Sequence, residues 1–111
     1  MKKVLFFIFI IYKIHAQGFS IARIHYSGGG DWYSDPSSIP NLINFVINNT
    51  NIKMDNKEYR LKLDDPKIFD HTYIYMTGHG NIRFNENEIL NLRKFLLNGG
   101  FLHADDNYGM D

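Results

Sequence analysis

The 111-residue chain contains no cysteine. It has neither a disulfide staple nor a thiolate for nucleophilic or metal chemistry, and its stability must come from packing. Nor does it hold an apolar run of the roughly 18 residues that a bilayer span needs; the run from Val4 to Tyr12 is nine residues long. A positive excess is also missing, since twelve Lys and Arg balance twelve Asp and Glu. That balance speaks against a nucleic-acid partner. The chain has no internal repeat and no low-complexity linker. Neither the G-x-G-x-x-G nor the G-x-x-x-x-G-K-[ST] phosphate signature occurs in it.

What is present begins with Lys2-Lys3, the apolar run, and then Lys13-Ile14-His15-Ala16. This is the layout of a secretory signal peptide, with cleavage expected after Ala16. Residues 1–16 are read as that signal and residues 17–111 as the mature α/β domain. The product is expected to be exported, periplasmic or extracellular, with no stable membrane span. Cleavage removes Lys2, Lys3 and Lys13, leaving nine basic residues against twelve acidic ones, a formal charge of −3. About 95 mature residues suffice for a small domain, although a minimal doubly wound sheet usually needs more.

The apolar pattern alternates between strands and helices. Phe19 to Tyr26 reads as a strand stopped by three glycines. Asp35-Pro36 or Ser37-Ser38 can start a helix whose stripe is Ile39, Leu42, Ile43 and Val46. Glu58 to Leu63 reads as an edge strand, and Asp64-Asp65-Pro66 breaks it. The nearly continuous apolar run Tyr73 to Met76 predicts a strand covered on both faces. Asn85 and Glu88 are spaced for a capping box on a second helix, with Ile89, Leu92, Phe95 and Leu96 as its buried stripe. Phe101 to Ala104 is the following strand. The helix-containing connection between the last two strands is long enough for a parallel pair.

Three polar junctions follow these strands: Ser27 to Trp32, Thr77 to Gly80, and His103 to Asp106. In an open α/β sheet, ligands bind beyond the carboxyl ends of the strands, so the junctions are expected to line one cleft. Asp105, Asp106 and His79 are the candidate catalytic residues, and the adjacent carboxylates can serve as acid and base or hold a hard cation. Both converge on one site only if the strand has already turned, because neighbouring strand residues point to opposite faces. The competing reading gives them structural work, capping a loop and binding glycine N–H groups. His79, between Gly78 and Gly80, can project an imidazole into the cleft or simply tie down the turn. Gly29 and Gly30 allow a sharp turn that brings Asp31 and Trp32 to the cleft, where Trp32 and Tyr33 can stack on a sugar or peptide, or else cover the end of the sheet. His103 shares a face with Asp105, which favours a structural hydrogen bond between them. His25 is read as packing or edge-exposed, and His71 as an ordinary loop residue. The ligand-facing set is Gly29, Gly30, Asp31, Trp32, Gly78 and Gly80. No metal site is assigned, because two carboxylates fall short of a ligand set, and no motif names a cofactor.

Taken together, the strand, Gly-Gly-Gly-Asp-Trp-Tyr, the Pro-Asn-Leu helix, Tyr-Met-Thr-Gly-His-Gly, and Gly-Gly-Phe-Leu-His-Ala-Asp-Asp resemble the bacterial family labelled domain of unknown function 4159. The resemblance covers Phe19 to Asp111. It implies a flavodoxin-like three-layer fold with a mostly parallel sheet, similar to class I glutamine amidotransferases, and it implies no established activity. In amidotransferases the strand after the glycine-ended helix delivers a cysteine at a tight turn. Ala104-Asp105-Asp106 stands there instead, so thiol attack is excluded. The family's greater length implies that this chain is a truncated, N-terminal half. The expected function is a binding or scaffold module of the cell envelope, with a protein or carbohydrate partner. The alternatives are a hydrolase using Asp and His at the strand ends, or a non-functional gene fragment.

Overall fold

The computed structural model describes residues 18–110. The signal-peptide reading falls outside them. The elements are β1 (Ile21–His25), α1 (Ser38–Asn49), β2 (Tyr59–Lys62), a short 3-10 helix (Pro66–Asp70), β3 (Tyr73–His79), α2 (Glu86–Leu97) and β4 (Phe101–Tyr108). The four strands form one all-parallel sheet in the order β2-β1-β3-β4. This is the flavodoxin-like winding expected from the sequence, in which the chain reverses direction across the sheet between β1 and β3. Although β2 and β3 are consecutive, they are not neighbours; each runs parallel to β1, which lies between them.

Alternation along the strands divides the core in two. Ala22, Ile24, Tyr26, Ile74 and Met76 pack with Leu63, Ile68 and Phe95 on the face covered by α2 and the 3-10 helix. Ile21 and Tyr75, on the other face, pack with Ile39 and Ile43 of α1. The result is a three-layer α/β domain. β2 is an edge strand, as its mixed pattern predicts, and β3 is central and buried from Ile74 to Gly78.

Three local expectations differ from what forms. First, α1 begins at Ser38 with Ser37 as its N-cap, but no side chain caps it, and only Ile39 and Ile43 of its stripe are buried. Leu42 is exposed and Val46 only half-buried. Second, α2 is rotated relative to its apolar stripe. Its capping box forms as expected, but Glu88 is itself buried, because its carboxylate also accepts from the backbone N–H and hydroxyl of Ser27 at 2.9 and 2.8 Å. With Glu88 drawn to the sheet, Asn91, Leu92 and Phe95 follow at helical spacing, and Ile89 and Leu96 turn outward. Third, both β3 and β4 run further than their apolar residues do. β3 continues through Thr77-Gly78-His79, and β4 continues to Tyr108, with Thr77 opposite Asp105 and Gly78 opposite Asp106. The backbone ladder, which is indifferent to side-chain polarity, sustains them.

Candidate functional site at the β1/β3 switch point

Two loops meet at the carboxyl ends of β1 and β3, where a doubly wound sheet presents its ligand crevice. The first, from Ser27 to Ser37, leads to α1, and the second, from Gly80 to Asn85, leads to α2. They are stitched together by an antiparallel bridge between Gly28 and Arg83, by Arg83 N–H donating to the Gly28 carbonyl at 2.9 Å, and by the Ser27–Glu88 bonds. Gly29 has φ +94°, and a side-chain carbon there would lie 1.9 Å from the Asn81 carbonyl oxygen. A carbon added at Gly30 would come within 2.2 Å of the His79 carbonyl oxygen. These glycines thus let two stretches of the chain pass in contact. The chain's own atoms occupy the space beside Gly29, Gly30 and Gly78; beside Gly80 the space is open.

This stitching brings Asp31 and His79 together. The Asp31 carboxylate accepts from the His79 backbone N–H and, at 3.0 Å, from Nδ1 of its ring. The bond to the backbone, more than any other cause, holds the Asp31 carboxyl below the usual aspartate value. With Nδ1–H facing a carboxylate, the tautomer of the neutral ring leaves the Nε2 lone pair available. The His79 and Asp31 side chains are 58% and 32% exposed, so the pair sits on an open surface patch. Tyr26 lies beneath it, donating its hydroxyl to the Thr77 carbonyl at 2.9 Å. Burial, with a smaller contribution from the Asp31 charge, raises the Tyr26 pKa.

The other candidate residues are distributed around this pair. Trp32 stacks on His25 with centroids 4.2 Å apart, so one ring face is already taken, while Tyr33 is well exposed. Asp105 and Asp106 do not sit on a turn; they are mid-strand residues on opposite faces of β4. Asp106 lies opposite Gly78, next to which the Asp31 carboxylate packs, and accepts from the Met110 N–H. Asp105 faces the α1 side, where it accepts from the Tyr75 hydroxyl at 3.2 Å. His103 bonds the Tyr73 hydroxyl at 2.7 Å in place of the expected Asp105. Among the described residues no group of three or more His, Asp or Glu is placed to hold a metal ion.

Arg23 is a residue that the sequence did not single out. It is 1% exposed and pairs with Glu58 at 2.9 Å. Its other donors reach the carbonyls of Ser34 and Asp35 and the hydroxyl of Ser38, and its guanidinium lies over the Tyr75 ring. From β4, Asn107 donates to Ser34 Oγ and Asp35 Oδ2. Arg23 and Asn107 together fix the segment that follows Asp31. An arginine inside an apolar strand pattern was the only signal for this in the sequence.

Fold and site define an α/β domain of the doubly wound, parallel-sheet class with a polar patch at its switch point. The chain belongs to the family described as Domain of unknown function (DUF4159), whose family model matches residues 20–111. A comparison with curated proteins returns no match.

Proposed function

We propose that this chain is an exported binding module of the cell envelope, with an amidotransferase-like fold that lacks thiol chemistry. Its recognition patch is formed by Asp31, His79 and the exposed Tyr33, with Trp32 as support. The observation that carries this reading is the Asp31–His79 pair: a carboxylate orients an imidazole at the switch point and leaves Nε2 free on an open surface. Such a patch offers a directed hydrogen bond from His79 and, in the segment that follows Asp31, the exposed Tyr33 ring, a combination that suits a carbohydrate hydroxyl or a peptide group. Export rests on the layout of residues 1–16. The test is glycan-array and peptide-array binding by the chain and by His79→Ala. The expected result is a ligand class whose signal is lost in the variant. Equal signals from both proteins would reject the patch.

A hydrolase is the second reading, and one feature favours it. An imidazole held at Nδ1 by a carboxylate is arranged as a general base, and Asp106 lies on the strand beside it. In this reading the hydroxyl next to Gly78 is not the attacking group, because Thr77 Oγ1 donates to the Asp105 carbonyl at 3.0 Å. Water would therefore be the nucleophile. Turnover of ester, amide or glycosidic probes, abolished by His79→Ala and by Asp106→Asn but not by Asp105→Asn, would establish hydrolysis.

A further inference from the structure

A cavity of about 440 Å³ opens at the amino ends of the strands, the end of the sheet opposite the Asp31–His79 patch. Its size falls within the roughly 300–1,000 Å³ of small-molecule sites. Ser20, Asp55, Tyr59, Lys67, Asp70 and His71 line it. They come from three separate segments: the entry to β1, the loop before β2 with its first residue, and the 3-10 helix with the residue after it. Ser20 Oγ bonds His71 Nδ1 at 2.7 Å, and the Tyr59 hydroxyl donates to Asp55 at 2.6 Å. The Tyr59 and His71 rings are 4.8 Å apart. Burial is the main reason that the His71 pKa is lowered, although Asp70 and Asp55 oppose the shift. The wall therefore carries a neutral imidazole with one nitrogen engaged and one free, an aromatic ring, and charges of both signs. The Lys67 ammonium and the Asp70 carboxylate form no ion pair or hydrogen bond with a described side chain.

Opposite charges that line one cavity without neutralising each other match a ligand that itself carries both signs. We propose that this cavity binds a small zwitterion of amino-acid or dipeptide size, its carboxylate recognised by Lys67 and its ammonium by Asp70 and Asp55. Tyr59 supplies the apolar contact, and the free nitrogen of His71 gives a directed hydrogen bond. This site is independent of the switch-point patch.

The experiment is isothermal titration calorimetry of the chain with glycine, L-alanine, L-glutamate, L-lysine and glycylglycine at millimolar concentration, followed by the N-acetylated and C-amidated form of each probe that binds. Saturable binding of at least one zwitterion is expected, weakened about tenfold or more by either cap and by Lys67→Met or Asp70→Asn, each of which removes a charge-assisted contact. Both positions are exposed, so the variants should melt as the parent does. Absence of binding by all five probes, binding insensitive to the caps, or binding insensitive to both variants would overturn the proposal.

Discussion

The Asp31 carboxylate accepts from both the backbone N–H and the ring Nδ1 of His79, a residue 48 positions further along the chain. One carboxylate thereby closes the glycine loop onto the end of β3 and orients the exposed imidazole of the patch. Stability should therefore depend on the charge of Asp31. Its folded-state pKa is depressed, so its contribution is complete well above the ordinary value of 3.8 and is lost as pH falls below 3.8 through the lower folded value. The stability difference between the parent and Asp31→Ala, measured by urea unfolding, should be larger at neutral pH than at about pH 3.

His71 should act in a different window. Its folded pKa is lowered by burial, so the unfolded chain takes up its proton first, and stability should fall as pH drops below the ordinary 6.5. His71→Asn should flatten the stability profile just below 6.5 and leave the acid limb governed by Asp31 in place. Unfolding curves collected across that range check this.

The glycines of the first junction differ from Gly80 in what surrounds them. Gly29→Ala forces a side chain into a left-handed conformation and against the Asn81 carbonyl, whereas Gly80→Ala meets open space at φ +81°. The expected costs are about 3 kcal/mol or more for Gly29→Ala and about 1 kcal/mol for Gly80→Ala. Thermal melts of the two variants should rank in that order.

Arg23 and Glu58 form a buried pair, with side chains 1% and 7% exposed. Glu58 also pairs with the exposed Arg60 at 3.0 Å, so the group left without a counter-ion when the pair is broken is Arg23, and Glu58→Gln should cost about 3–5 kcal/mol. The double variant Arg23→Met/Glu58→Gln should cost less than the sum of the two single changes, which a double-mutant cycle by urea unfolding measures.

Among the described residues β4 lies at one edge of the sheet, with Phe101 and Tyr108 exposed, and Leu97, the last residue of α2, is 79% exposed. Unpaired edges and apolar patches of this kind associate. Sedimentation should show concentration-dependent association, reduced by Phe101→Lys combined with Leu97→Glu.

The short-range pattern made much of the architecture legible in advance. Buried runs such as Tyr73 to Met76, the Asn85–Glu88 box and the glycine stops depend on contacts within a few residues, so periodicity exposes them. The endpoints of β3 and β4 were less legible. Thr77 to His79 and Asp105 to Tyr108 are polar, and only pairing with each other keeps them extended.

The amino-acid sequence by itself determined an α/β chain without thiol chemistry, and it marked the polar residues that gather at the strand ends. Tertiary structure alone decided which of them meet. It joined Asp31 to His79, sent Asp105 and Asp106 to opposite faces, and buried Arg23 and Glu88 against partners 35 and 61 residues away. The physical reason is that a hydrogen bond depends on distance and angle in space, whereas spacing along the chain constrains geometry only within a single helix or strand.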